Sequence, residues 1–397
     1  MTIPAYSPFS PILPRDENAL PVSGDAPELG ALPDWDLSDL YTAPDAPELA
    51  RDLDALDKAC AEFASDYEGR LATLTPARML ECIERYQQID LLAGRIMSYA
   101  GLRYYQNTTD ATRAKLLGDL QDRITNDTTR LVFFSLEFNR IPDARYEEVF
   151  AAADGPARYK PVFDRMRAMR PHQLSDELER FLHDNSVVGA AAWNRLFDET
   201  TAALTFDVDG ETMGLEATLN LLSDHDRHRR EAGARALAVV FGNNIKTFSR
   251  IHNTLAKEKA IEDKWRKMPT PQTARHLSNH VEPEVVEALR NAVTAAYPRL
   301  SHRYYRLKAR WLGLDKLQIW DRNAPLPSET PRLIDWPEAR ATVLDAYAGF
   351  SPKLAELAEP FFDKGWIDAA AKPGKAPGAF AHPTVTTVHP YVLLNYL

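Results

Sequence analysis

Hydrophobic residues recur at helical spacing through most of the chain. In the first clear stretch they follow one another in steps of four and three residues, which places them on one face of a helix. Gly69 follows this stretch, and glycine is common where a helix ends because it adopts the left-handed backbone conformation without strain. The pattern predicts one helix of a helical hairpin, with the apolar face Leu49, Leu53, Leu56, Cys60, Phe63 and Tyr67.

Two more long helices are predicted downstream. Thr75-Pro76 marks the start of the second, because threonine caps a helix and proline fits its first position. Its apolar stripe runs from Leu80 to Leu102. Thr109-Asp110 begins the third helix, which we expect to continue until Pro142 stops it. Three long helices in succession favour a helical bundle.

The rest of the pattern is helical, with two β segments. Residues 204–208 alternate apolar and polar side chains and lead into Asp209-Gly210, a favoured two-residue hairpin turn. Residues 385–394 also have the composition of strands. Further helices are predicted at about 158–169, 176–183, 190–201, 215–265, 283–297 and 298–312, and from Ser351-Pro352 onward.

The charge balance argues against a protein that binds polyanions. The 397 residues include 47 Lys and Arg against 57 Asp and Glu, which gives a net charge of −10 at pH 7. Such an acidic chain is not expected to bind nucleic acid or an anionic membrane. The two cysteines, Cys60 and Cys82, are too few for a disulfide framework, so we expect a reducing, cytoplasmic location.

The first 33 residues are expected to form an extended, disordered leader. They contain seven prolines and little periodic hydrophobicity. No pattern of a secretory signal is visible, and charges interrupt every apolar segment well before the length needed to cross a membrane. We therefore expect a protein that neither follows the general export route nor spans a membrane.

Three polar clusters could carry chemistry, but each has a simpler structural interpretation. His276 and His280 have the spacing of a zinc-protease helix, yet Leu277 stands where such a helix needs a glutamate base. The cluster 224–228 is explained as the charged start of a helix, at Ser223-Asp224. The basic and aromatic run 303–308 is interpreted as a buried aromatic stripe whose bases reach solvent, in preference to a nucleic-acid patch.

Several motifs resemble those of one family of zinc metallopeptidases. The early motif is Trp35-Asp36-Leu37-Ser38-Asp39-Leu40-Tyr41. The later ones are 303–308 with 324–326, 365–368 with 374–375, 378–380, and 389–396. Together they resemble oligoendopeptidase F, in the thimet-oligopeptidase group, over nearly all residues from about Leu32 onward.

The resemblance implies a mainly α-helical, multi-helical zincin-type oligopeptidase fold, with a small β hairpin and a short β segment near the C-terminus. It implies a leader at 1–33, an N-terminal helical region at 34–203 and an incomplete catalytic domain at 204–397. Family members hold one zinc with His-Glu-x-x-His and a downstream Glu, and none of the ten histidines here begins that motif. We therefore expect the N-terminal two-thirds of such an enzyme, with no catalytic residue, no metal ligand and no activity of its own.

The function implied by the resemblance is a zinc-dependent metalloendopeptidase that hydrolyses short unfolded peptides. Gly378, Ala379 and Phe380 are predicted to bind the substrate, with His389 and Tyr391 as neighbours, since an extended substrate commonly adds as a strand to a sheet edge. In the alternative, Phe380 and Tyr391 are core residues and the glycines only turn the chain. A second function stays open, that of a non-catalytic helical protein that binds peptides or a partner. A third and less favoured possibility is a subunit that completes an enzyme in trans.

Overall fold

The computed structural model describes most of the chain after residue 28. The described residues are 29–108, 110–185, 189–202, 204–327, 334–370, 372, 375–376 and 378–396. Most of the predicted leader, residues 1–28, lies outside them. The described residues divide into a first compact unit within Met1–Phe163 and Arg332–Leu397, and a second within Asp164–Pro331. The domain boundary predicted between 203 and 204 stays a prediction.

The first unit begins with a bundle of helices. These are α1 (Pro47–Tyr67), α2 (Pro76–Gln106), α3 (Ala111–Thr128), α4 (Val132–Arg140), α5 (Asp143–Ala151) and, at the border of the two units, α6 (Lys160–Arg167). All six residues predicted for the apolar face of α1 are buried. Gly69 has a φ of +76°, as expected of a glycine just beyond a helix end.

The predicted start of α2 is confirmed, and the third predicted helix proves to be two. The Thr75 hydroxyl caps α2 by accepting a hydrogen bond from the backbone N–H of Arg78, at 3.4 Å. The third segment breaks at a 3₁₀ turn, Thr129–Leu131, between α3 and α4. The hydroxyls of Thr128 and Thr129 donate back to carbonyls one turn earlier, at 2.8 and 2.7 Å. Such bonds compete with the helical backbone and favour a local irregularity, which apolar spacing does not reveal.

Aromatic rings fill the centre of the bundle. Tyr86 of α2 stacks on Phe134 of α4, with ring centroids 4.3 Å apart. Phe63 of α1 lies 5.7 Å from Phe134, and Phe138 lies 4.2 Å from Phe163 of α6. Close aromatic pairs of this kind add to the stability that the buried area alone provides.

The second unit contains the predicted hairpin. Its elements are α7 (Asp176–Asn185), α8 (Ala190–Ala202), β1 (Phe206–Val208), β2 (Glu211–Met213), α9 (Leu215–Asn220), α10 (Arg227–Asn243), α11 (Ile245–Trp265), α12 (Thr273–Asn279), α13 (Pro283–Ala296) and α14 (Ser301–Trp311). β1 and β2 are antiparallel, and Asp209 and Gly210 between them have φ of 54° and 85°. Two positive φ angles in succession are what the predicted turn requires.

A buried carboxylate ties α10 to a later turn of the second unit. Asp321 is fully buried and accepts hydrogen bonds from Arg227 at 3.0 and 3.1 Å, from Arg230 at 3.2 Å and from the backbone N–H of Gln318 at 2.9 Å. Burial would raise the pKa of Asp321, but the hydrogen bonds from Arg227, Gln318 and Arg230 hold it below its ordinary 3.8. The helix cap of α10 is Asp226, two residues after the predicted start.

Two sequence predictions fail in the second unit. Tyr304 and Tyr305 of α14 are 44 and 40% exposed, so the predicted buried aromatic stripe is wrong. Helical spacing shows which residues share a face but not whether another element covers that face. His276 and His280 also do not share a helix face, since α12 ends at Asn279 and His280 follows with a left-handed φ of 54°.

The first unit resumes with two helices and a sheet. These elements are α15 (Trp336–Phe350), α16 (Pro352–Asp363), β3 (Ile367–Ala370), β4 (Phe380–His382) and β5 (Tyr391–Tyr396). The strand order is β3-β5-β4, with β3 parallel and β4 antiparallel to β5. Trp336, Ile367 and Ala369 form a small buried cluster beneath the sheet.

The described residues are mainly helical and contain the predicted hairpin, and the short β segment predicted near the C-terminus belongs to a sheet of three strands. No helix among them combines the length and the apolar character needed to cross a membrane. Of the residues predicted to bind substrate, Phe380 and Tyr391 lie in the three-stranded sheet, and Gly378, Ala379 and His389 lie in the loops beside it.

Candidate substrate-binding edge

The two outer strands of the three-stranded sheet have different surroundings. The edge of β3 is covered, because the Ala369 N–H donates to the carbonyl of Pro33 at 2.9 Å and the Gly365 carbonyl accepts from the N–H of Asp36 at 2.8 Å. Gly365 has a φ of +64°, and a Cβ there would lie 3.1 Å from the Asp36 backbone nitrogen. In the described part of the chain, β4 pairs with β5 on one side and with no strand on the other. The edge of β4 is therefore the open one.

The side chains of β4 alternate between the bundle and solvent. Phe380 packs edge-on against Tyr105 of α2, with centroids 5.2 Å apart, and His382 lies 3.1 Å from the Ser98 hydroxyl, also on α2. Burial lowers the pKa of His382 below its ordinary 6.5. Ala381, between them, is exposed. A strand with one face anchored and a small residue on the other can accept a neighbouring strand without a clash.

The loop before β4 is tied to two other elements. The Ala376 N–H donates to the Tyr105 carbonyl at 2.9 Å, at the end of α2. The Asn395 amide, on β5, donates to the carbonyls of Ala376 and Gly378 at 3.0 and 2.8 Å. Gly378 is exposed with a φ of +76°, and a Cβ there would meet nothing within 4 Å. The left-handed φ, and not a shortage of space, is therefore what favours glycine at this position.

A buried ion pair holds the start of the same loop on β3. The Lys375 ammonium is fully buried and donates to the Asp368 carboxylate at 2.5 Å, to the Asp368 carbonyl at 3.1 Å and to the Ala370 carbonyl at 2.6 Å. Burial lowers the pKa of Lys375 below its ordinary 10.5, while the hydrogen bond and charge of Asp368 oppose that shift. All three N–H donors have a partner, as a buried ammonium requires. Asp368 and Lys375 both belong to the motifs that resemble oligoendopeptidase F, but their spacing in the sequence does not predict that they pair.

His389 and Tyr391 lie at the opposite end of β5 from Asn395. Tyr391 is fully buried, and its hydroxyl donates to the Asp36 carbonyl at 2.9 Å. The His389 ring stacks on Trp366 with centroids 3.5 Å apart, and its Nε2 lies 3.0 Å from a carboxylate oxygen of Asp39. Gly378 and Ala379 thus lead directly into Phe380 at the start of β4, whereas His389 and Tyr391 contact Asp39 and Asp36 near the N-terminus.

The motif around Trp35 and the motifs near the C-terminus contact each other at this sheet. The Trp35 indole N–H donates to the carbonyls of Trp366 at 3.2 Å and Val392 at 2.9 Å. Its ring also lies 6.5 Å from Phe380 and 6.0 Å from Tyr391. Residues more than 300 positions apart in sequence therefore build one structure around the candidate edge.

The described residues offer no place for the zinc ion that the resemblance implies. Nowhere among them do three or more His, Cys, Asp or Glu side chains come together in an arrangement that could hold a metal. What this edge offers chemically is backbone hydrogen bonding to an extended chain.

Several solved structures share this architecture. Oligoendopeptidase-F from Enterococcus faecium superposes with a TM-score of 0.62 and 22% sequence identity, covering 80% of this chain and 60% of that one. A peptidase structure from Chlamydophila abortus gives a TM-score of 0.69 and 19% identity, covering 92% and 61%. The chain therefore has the oligoendopeptidase F fold, which confirms the predicted fold class.

The sequence comparisons lead to the same family. Residues 137–206 match the family model described as Oligopeptidase F. Oligopeptidase PepF of Bacillus subtilis is 23% identical over 388 residues, which are 96% of this chain and 57% of the relative. Group B oligopeptidase PepB of Streptococcus agalactiae is 23% identical over 370 residues, 91% of this chain and 60% of the relative. The predicted resemblance to oligoendopeptidase F is confirmed over about 90% of the chain, which spans about three fifths of these relatives.

Proposed function

We propose that this chain forms the peptide-binding part of a zinc-dependent oligoendopeptidase, and that a short unfolded peptide adds to β4 as an extended strand. The open edge of β4 carries the proposal, since the other edge of the sheet is covered by residues 33–36. Gly378, Ala379 and Phe380 then lie along the bound peptide, with His389 and Tyr391 supporting the sheet. The names of the relatives, all oligopeptidases, support the substrate class.

Hydrolysis is assigned to the whole-length relatives and not to this chain by itself. The described residues provide no metal site, and no histidine of the chain begins a His-Glu-x-x-His motif. We therefore expect the 397-residue chain to bind peptides without cleaving them, in the cytoplasm, where its two free and buried cysteines stay reduced. Mass spectrometry of peptides incubated with the chain and zinc tests this expectation, and zinc-dependent cleavage would contradict it.

The binding test compares two glycines in similar local settings. Gly378 and Gly210 have φ of +76° and +85°, and a Cβ at either would meet nothing within 4 Å. Valine is strained in this region by about 1–2 kcal/mol, so Gly378→Val and Gly210→Val should cost similar stability. Only Gly378→Val should weaken binding of a fluorescent, unstructured peptide, by about tenfold or more, measured by anisotropy. Equal affinities of the two variants would remove the assignment to β4.

A further inference from the structure

The side-chain amide of Asn395 makes two hydrogen bonds to the loop that precedes β4. Its Nδ2 donates to the Ala376 carbonyl at 3.0 Å and to the Gly378 carbonyl at 2.8 Å. Only the amino end of an asparagine side chain carries two N–H donors, so two carbonyl partners fix the orientation of the amide. One side chain on β5 thereby sets the direction of two carbonyl groups that lie two residues apart.

Asn395 is the last of three anchors along this loop. Lys375 holds the start of the loop on β3, and the Ala376 N–H holds it on the end of α2. Gly378 and Ala379 follow and are both exposed. Within the described residues, the hydrogen bond from Asn395 is the side-chain contact that holds the Gly378 carbonyl. Removing it frees the backbone next to β4 and leaves the buried pair of Lys375 and Asp368 intact.

We propose that Asn395 is a positioning residue for peptide binding: its two hydrogen bonds hold the backbone of Gly378 and Ala379 in the conformation that receives an extended peptide. This inference rests on the proposed function of β4. A binding edge that is ordered in advance avoids an entropic cost when the peptide arrives, so a loop released from Asn395 should bind the same peptide more weakly. Asn395 itself does not need to touch the peptide.

Two substitutions test this role in the full chain. Asn395→Ala removes both donors, and Asn395→Asp also places a carboxylate against two carbonyl oxygens at nearly the same side-chain volume. Asn244→Asp is the matched control, because the Asn244 amide donates to the Val240 carbonyl at 2.9 Å in the second unit. For each variant, amide hydrogen exchange reports on the loop, urea denaturation on global stability, and anisotropy of a labelled unstructured peptide on affinity.

The expected result is a graded loss confined to the loop. Exchange at the amide of Ala376, whose N–H donates to the Tyr105 carbonyl, should rise about tenfold. Peptide affinity should fall from wild type to Asn395→Ala to Asn395→Asp, by about tenfold or more in the last. The urea midpoint should change no more than in Asn244→Asp, whose affinity stays at the wild-type value. If Asn395 only stabilised the fold, peptide affinity would fall only in proportion to the loss of global stability.

Each other result overturns the inference. Unchanged exchange in the loop of Asn395→Asp would show that the amide does not hold it. A looser loop with wild-type affinity would show that positioning does not govern binding. A wild-type chain that binds no peptide would remove the proposed function first and the role of Asn395 with it, and this outcome is recognised before any variant is measured.

Discussion

The two edges of the three-stranded sheet differ in what lies beside them. Beside β3, residues 33–36 satisfy the backbone and Trp35 covers the sheet, whereas beside β4 no described strand is present. An uncovered edge is a hazard, because it can pair with strands of other chains. The chain closes one edge with a segment that is distant in sequence, and the proposed peptide would add to the other edge.

The largest effect should come from breaking the buried ion pair that fixes the loop of the open edge. Lys375→Met leaves the Asp368 carboxylate buried without its cation, and we expect a loss of about 3–5 kcal/mol in the free energy of unfolding. Urea denaturation measures it. The double variant Lys375→Met with Asp368→Leu should regain most of that loss, since no unpaired charge stays buried. A single variant as stable as wild type would show that the pair does not brace the sheet.

A smaller effect is expected at the closed edge. Trp35→Phe keeps a buried ring but removes the N–H that donates to the carbonyls of Trp366 and Val392, at a cost of about 1–3 kcal/mol. Trp311→Phe is the control, because Trp311 is half exposed on α14 and its replacement should cost less than about 0.5 kcal/mol. Thermal unfolding of the two variants side by side tests the contrast, and equal losses would contradict it.

The smallest effect concerns pH. Burial lowers the pKa of His382, so between its folded-state pKa and 6.5 the unfolded chain binds more protons than the folded one. The free energy of unfolding should therefore rise with pH in that window and fall on acidification through it. His382→Gln should remove this part of the slope in denaturation curves taken between about pH 5 and 8. An identical slope in the variant would assign the dependence to other groups.

Local patterns predicted much of the fold from the sequence. The spacing of Leu49 to Tyr67 identified the buried face of α1, and Asp209-Gly210 identified the hairpin, because each depends on neighbours in sequence. The motif 378–380 was placed on a sheet edge, where the structure has Phe380 in β4. Its role in substrate binding stays a prediction.

Contacts between distant residues could not be predicted in this way. The pairing of Lys375 with Asp368 depends on the close approach of β3 and the loop, and the two bonds of Asn395 depend on the register of β5 beside β4. The exposure of Tyr304 and Tyr305 was missed for the same reason, since the spacing of apolar residues along a helix does not reveal which elements cover its face.

The covered edge of β3 also has a consequence for the time course of synthesis. Asp36 bonds to Gly365, so the ribosome must add about 330 residues after one partner before the other exists. At 5–20 residues per second this takes on the order of 15 to 65 s. Throughout that interval, Trp35 and the surface of α2 that later receives Phe380 have no sheet to pack on. These surfaces of the nascent chain therefore stay without their native packing partner until β3 to β5 have been synthesised.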